Sequence, residues 1–219
     1  MFLHGWGQSG DCFGLIGEYL SKEYRVTLVD FEGFGKSPKP AVPMSVCDYA
    51  GQIIDLIKQN YMKDVVVIAH SFGGRVALEA AYKYPHFFSK LILTDIAGVK
   101  PKRGVGYYLK IYSYKLRKKL KLNTKNAGSS DYRNSDEIMR QTLVNVVNYD
   151  QTYQLSSIKL PTLLVWGALD GETPMYMAKT LNKKLLNSRL VVFEDCGHFA
   201  FSEDSYRFIL LIKEFIEDV

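Results

Sequence analysis

The amino-acid sequence predicts an α/β fold: a mostly parallel sheet flanked by helices, with one helical insertion. Three observations carry this. Short β-branched runs alternate with amphipathic stretches of helical length, the rhythm that crossover units between parallel strands require. Residues able to do chemistry, namely Ser71, Asp95, Asp170 and His198, each stand just beyond one of those runs. The rhythm also breaks once, between about 99 and 158, where no clean strand occurs.

In chain order, a stub of apolar chain, Phe2-Leu3, opens into the glycine-rich loop His4-Gly5-Trp6-Gly7-Gln8-Ser9-Gly10, which can bring backbone N–H groups against a negative atom. A helix is expected from Asp11, with Phe13, Ile16 and Leu20 on one side. The run 25–30 reads as a strand and ends in a second glycine-rich turn, Phe31 to Ser37. Pro38, Pro40 and Pro43 then forbid regular structure. Ser45 or Asp48 can open a helix whose buried face is Ile53, Ile54, Leu56 and Ile57.

The stretch 64–84 organises the chain. Five apolar positions, 65–69, lead into His70-Ser71-Phe72-Gly73-Gly74 and an alanine-rich helix over 72–83 that stops before Pro85. A strand running at once into a helix makes a sharp corner with Ser71 at its apex, and the strained apex needs small residues two positions away, here Ala69 and Gly73. A strand over 90–94 finishes at Asp95. The insertion then reads as a tyrosine-rich basic helix over 105–120, a polar loop over 123–133 and a helix over 135–148. Strands at 162–166 and 190–193, with helices at 174–185 and 206–217, complete the pattern.

Composition sets bounds on function. The chain has 219 residues, 47% hydrophobic and 23% charged, which suits one domain with an insertion. No apolar run is long enough to cross a bilayer, and the first residues lack the segments of a signal peptide. Cys12, Cys47 and Cys196 are widely spaced, with no zinc or redox motif, so reduced thiols in a cytoplasmic protein are expected. The net charge of +5 comes from one segment: ten Lys and Arg residues and no acid lie between Lys100 and Lys125. Nucleic-acid binding by the whole chain is therefore not expected, nor integral membrane association. That segment can be a solvated cationic face or can attract an anionic substrate or membrane surface. Four histidines in separate loops supply no metal site, and no cofactor is expected.

A serine hydroxyl needs an imidazole to take its proton, and that imidazole needs a carboxylate to fix its tautomer. Serine, aspartate and histidine in that order, each past a strand, meet this requirement. Taken together these motifs identify the chain as resembling the α/β-hydrolase superfamily, in particular its small cap-bearing serine esterase-like members. His4-Gly5-Trp6-Gly7 is similar to the family's oxyanion loop, and Asp30 to Gly33 with Gly35 and Ser37 to the turn after its fourth strand. His70-Ser71-Phe72-Gly73-Gly74 resembles the nucleophile elbow, Trp166-Gly167 with Asp170 the acid loop, and Gly197-His198 the histidine loop.

The resemblance implies a core of residues 1–98 and 159–219, a helical cap at 99–158, and a catalytic triad of Ser71 as nucleophile, His198 as general base and Asp170 as orienting carboxylate. The backbone N–H groups of Trp6 and Phe72 would form the oxyanion hole. The implied activity is cleavage of a small carboxylic ester through an acyl-enzyme. A carbon-carbon bond hydrolase, an acyltransferase and a catalytically silent small-ligand receptor remain the alternatives. Asp95 is the rival carboxylate, while His70, His4 and Cys196 read as packing or bracing residues. One departure from the family pattern stands out. The strand entering the His-Gly loop can contain only Met1, Phe2 and Leu3, too short to pair fully with both neighbours, so the expectation is a fragment or misassigned start lacking N-terminal strands. An edge exposed by absent strands leaves pairing into a homodimer open.

Overall fold

A computed structural model describes residues 1–99, 112 and 129–218. Six parallel strands form one sheet in the order β2-β1-β3-β4-β5-β6. They are β1 (Phe2–Leu3), β2 (Leu28–Val29), β3 (Val65–His70), β4 (Phe88–Thr94), β5 (Thr162–Gly167) and β6 (Ser188–Phe193). Among the described residues the helices include α1 (Gly14–Leu20), α2 (Val46–Gln59), α3 (Phe72–Lys83), α4 (Ser130–Asn134), α5 (Glu137–Asn148), α6 (Met175–Lys184), α7 (Ala200–Glu203) and α8 (Ser205–Glu217).

Side-chain alternation along the strands builds two cores. Val67, Ala69, Leu91, Leu93, Leu164 and Trp166 face α2, α3 and α6, whereas Ile68, Ile92, Leu163 and Val165 face α1 and α8. Local signals set the helix ends. Ser45 and Asp48 form a reciprocal capping box at the start of α2. Lys90, inside β4, donates to the Phe215 and Ile216 carbonyls at the end of α8, at 2.8 and 3.1 Å.

The run expected as a strand over 25–30 pairs only at Leu28 and Val29, opposite Phe2 and Leu3. A strand is defined by its partner, and β1 offers two residues. Beside this short ladder, between 25–27 and 64–66, lies a cavity of about 310 Å³. In the insertion, the polar stretch expected as loop becomes helical at Ser130–Asn134, because Ser129 accepts from the Tyr132 amide and caps it. The basic helix expected over 105–120 lies outside the described residues apart from Tyr112.

The feature that fixes the centre of the sheet is the approach of α3 to β1. A Cβ on Gly73 would meet the Leu3 carbonyl carbon at 2.6 Å and the His4 oxygen at 2.8 Å, backbone that has nowhere to retreat. Gly51, inside α2, has nothing within 4 Å of such an atom. Gly73→Ala will therefore lower the urea unfolding midpoint, by about 1–3 kcal/mol of stability. Gly51→Ala will raise it, by about 0.5–1 kcal/mol. Equal midpoints for the two variants would remove the close approach as a constraint.

Candidate active site

Every candidate residue emerges at the carboxyl end of a parallel strand, where ligands of open α/β sheets bind. His4 follows β1, Asp30 β2, Ser71 β3, Asp95 β4, Asp170 β5 and His198 β6. Ser71 sits at φ +48°, ψ −110°, left-handed backbone that costs a non-glycine residue about 1–3 kcal/mol. The surroundings hold it there. Its amide donates to the Thr94 oxygen at 3.2 Å, and its own oxygen accepts from Gly74 and Ala97 at 3.1 and 3.3 Å.

Three separated residues meet above this corner. His198 Nε2 lies 3.1 Å from Ser71 Oγ, and His198 Nδ1 lies 2.9 Å from Asp170 Oδ2. A carboxylate can only accept, so Nδ1 carries the proton and Nε2 is left to accept from the serine hydroxyl. Burial by itself would lower the His198 imidazole, but the hydrogen bond and charge of Asp170, with Glu172 and Asp95 behind it, outweigh burial and hold its pKa above the ordinary value. Burial likewise pushes the Asp170 carboxyl up. Hydrogen bonds from His198 and Thr173 oppose this and bring it down to about 2. The exposed Glu172 carboxylate lies 3.4 Å from the same Nε2 that faces the serine.

The acid and histidine loops brace each other. Asp170 Oδ1 accepts from the Glu172 and Thr173 amides at 2.7 and 2.9 Å, a local turn in which a carboxylate caps its own chain. The Thr173 hydroxyl donates to Oδ2, and Trp166 Nε1 holds the Thr173 carbonyl at 2.7 Å. Across the gap, Leu169 N donates to Cys196 O at 2.9 Å. Glu203 in α7 accepts from the amides of Gly197 and Phe199 on either side of His198, at 2.7 and 3.1 Å.

The two glycine-rich loops near the start of the chain are joined in the same way. Phe31 N donates to His4 Nε2 at 3.1 Å, which leaves His4 Nδ1 to donate to Gly5 O at 2.7 Å. Asp30 accepts from Gly10 N and Lys36 N, both at 2.7 Å. The Trp6 ring packs edge-on against Phe34 and Phe72, at 4.9 and 5.5 Å between centroids. Trp6 and Phe72 thus sit on two clamped segments that meet through their rings. As the first residue of α3, Phe72 has no intrahelical acceptor for its amide.

The bracing residues expected from sequence have specific partners. His70 donates from Nε2 to His198 O at 2.8 Å, and burial chiefly pushes its pKa down to about 3, so its ring is neutral. Asp95 makes no hydrogen bond to His198; its carboxylate accepts from Gly167, Thr94 and Ala200 instead. Cys196 is buried, and burial raises its thiol pKa. Among the described residues no group of three His, Cys, Asp or Glu side chains is placed to hold a metal ion, and no helix is long and apolar enough to cross a membrane. Sequence reasoning missed Glu172, Thr173, Glu203 and Gln8. Thr173 alone left a signal, the Asp-x-x-Thr spacing of a side-chain-capped turn.

The Asp170 contacts have a measurable consequence. Because its folded pKa is depressed from 3.8 to about 2, the stability it contributes is present above 3.8 and is lost as pH falls through 2. Wild type will lose about 2 kcal/mol across that window that Asp170→Asn does not lose. In the same variant the His198 ring, followed by NMR, will titrate below the ordinary histidine value, since burial then acts against a weaker partner. An unchanged His198 titration would show that Asp170 does not hold its proton.

Comparison with known proteins gives the family of the fold. The family model described as alpha/beta hydrolase fold matches residues 1–113 and 97–205. A pimeloyl-[acyl-carrier protein] methyl ester esterase of Vibrio campbellii is 27% identical over 243 residues, covering 98% of this chain and 93% of its own. An esterase from Exiguobacterium antarcticum superposes with a TM-score of 0.81 at 24% identity, over 99% of this chain and 91% of that one. A meta-cleavage product hydrolase from Pseudomonas fluorescens superposes with a TM-score of 0.76 at 21% identity, over 99% and 90% of the two chains. With the parallel sheet, the left-handed serine corner and this family match in hand, the chain belongs to the α/β-hydrolase family.

Proposed function

We propose that the protein is a serine hydrolase that cleaves a small carboxylic ester through an acyl-enzyme on Ser71. The observation that carries this reading is the continuous line from Ser71 Oγ through both ring nitrogens of His198 to Asp170, at 3.1 and 2.9 Å. Ser71 Oγ attacks the ester carbonyl carbon as its proton passes to His198 Nε2. The carbonyl oxygen becomes an oxyanion that accepts from the Trp6 and Phe72 amides, each such donor supporting about 3 kcal/mol of transition-state stabilisation. Collapse of the tetrahedral intermediate breaks the ester C–O bond, and the alcohol leaves with the proton from Nε2. Water then repeats the sequence on the acyl-enzyme, giving its proton to Nε2 and releasing the carboxylic acid and Ser71.

The names of relatives support the same chemistry, since the Vibrio protein is an esterase of a methyl ester. In this reading the insertion at 99–158 is the cap over the site. Its described part supports that role. Thr142 and Asn145 in α5 bond the Met44 backbone at 3.0 and 3.1 Å, and a Cβ on Gly33 would meet Met139 Sδ at 2.8 Å. Ser71→Ala will abolish turnover of short acyl esters, with a fall in kcat of about 10⁴-fold or more. It will also lose labelling by a fluorophosphonate probe while keeping the wild-type circular dichroism. Retained turnover in the folded variant excludes the mechanism, and a folded wild type that neither labels nor turns over esters favours a silent ligand receptor.

A further inference from the structure

One buried ionisable group is left unused by this mechanism. Asp95 is 0% exposed at the end of β4, and its φ of +49° places it, like Ser71, in the left-handed region. Aspartate tolerates that conformation better than most residues. It makes no ion pair with a Lys or Arg among the described residues; neutral donors surround it instead. Oδ1 accepts from Gly167 N at 2.8 Å, and Oδ2 accepts from Thr94 Oγ1 at 2.9 Å and Ala200 N at 3.3 Å. Its backbone is held as well, with Asp95 N on Val165 O at 3.1 Å, while Thr173 Oγ1, whose one proton Asp170 Oδ2 and the Asp95 carbonyl share, lies 3.2 Å from Asp95 O.

These partners are not scattered. Gly167 is the last residue of β5, where the chain departs toward Asp170, and Ala200 opens α7 two residues after His198. Thr173 also binds Asp170 directly. One carboxylate therefore gathers the root of the acid loop, the far side of the histidine loop and the end of the strand next to the serine corner. We propose that Asp95 is a positioning residue that sets Asp170 and His198 at bonding distance by clamping the roots of their two loops. The proposal rests on the hydrolase reading above for its kinetic consequence, and on the geometry alone for its structural one.

The clamp works through the ionised form, because the Gly167 and Ala200 amides and the Thr94 hydroxyl all donate to the two carboxylate oxygens. Burial chiefly, with Asp170 adding to it, pushes the Asp95 carboxyl up to about 7; the bonds from Gly167 and Thr94 and the nearby His198 act the other way. The His198 ring in turn faces Asp170 and Glu172 from the acid loop, Asp95 from β4 and His70 from β3. Within that set, loss of the Asp95 charge lowers the His198 pKa.

Asp95→Asn keeps the size and the tolerance of left-handed backbone, but it removes the charge and presents an NH₂ group to a donor. In the free protein the His198 ring proton, followed by NMR, will titrate at lower pH than in wild type. In kinetics, kcat for the ester will fall by about tenfold to a hundredfold. KM will stay within about twofold of wild type, since the loops position the reacting groups rather than bind substrate. Thr94→Val, which removes one donor to Oδ2, will move both readouts in the same direction by less. A folded Asp95→Asn with wild-type titration and kcat overturns the proposal; if that variant does not fold, a wild-type titration in Thr94→Val overturns it. The titration needs no substrate, so a shift in Thr94→Val, which keeps the Asp95 charge, in a protein that hydrolyses no ester upholds the clamp and rejects the hydrolase reading.

Discussion

The approach of α3 to the β1 backbone is the constraint on which the rest of the site depends. Gly73 lets the first turn of α3 lie against Leu3 and His4. The same turn carries Phe72 and begins at Ser71, so one contact relates the serine corner to the loop that follows β1. A larger residue at 73 would push the helix outward, and the serine and the Trp6 loop would separate. The left-handed angles of Ser71 follow from this geometry: the chain must leave β3 and enter α3 within one residue. The strain is sustained by backbone bonds to Thr94, Gly74 and Ala97, not by the serine side chain, whose oxygen stays directed at His198.

The histidine is controlled by negative charge from one side and by burial from the other. Asp170, Glu172 and Asp95 all raise its pKa, and desolvation lowers it. The balance lies above the ordinary histidine value, which makes the ring a ready proton acceptor. His70 follows a different course despite being 4.8 Å from His198 between centroids. It has no carboxylate partner, burial dominates, and it stays neutral as a strut to the His198 carbonyl. Two neighbouring imidazoles thus differ in basicity because one meets an acid and the other a carbonyl.

Much of the fold was legible in the sequence wherever the determining contacts are local. The serine corner, the start of α2 near Ser45 and the apolar runs of β3 to β6 involve residues a few positions apart, and pattern alone located them. The order of Ser71, Asp170 and His198 was readable because each must follow a strand. The length of β2 was not readable, since 25–27 have strand-like residues yet a ladder needs a partner and β1 supplies two positions. Residues that act at a distance left no trace either. Asp95 reaches Ala200 over 105 positions, and Lys90 reaches the end of α8 over more. Glu203 is near His198 in sequence, but nothing in a glutamate six residues past a glycine says that it will turn back to hold that loop.

The Trp6 and Phe72 segments, proposed as the oxyanion donors, raise a different question, namely how backbone amides are positioned when no hydrogen bond among the described residues holds them. Hydrogen bonds hold the loop at Gly5, where His4 ties Gly5 O to Phe31 N and Gln8 accepts from Gly5 N at 3.2 Å, and again at Gly10, whose amide donates to Asp30 at 2.7 Å. Between these two points Trp6 is fixed by rings. Trp6 lies edge-on to Phe34 and Phe72, while Phe31 and Tyr49 pack at 5.1 Å against the other parts of Phe72. Edge-to-face contacts of this kind constrain tilt as well as distance. They therefore orient the Trp6 and Phe72 backbones without occupying the N–H groups themselves. An amide bonded to a neighbouring carbonyl would have to break that bond before it could accept charge from a substrate. An amide held by the ring on its own residue can donate at once, and an aromatic cluster is the arrangement of these side chains that leaves it so.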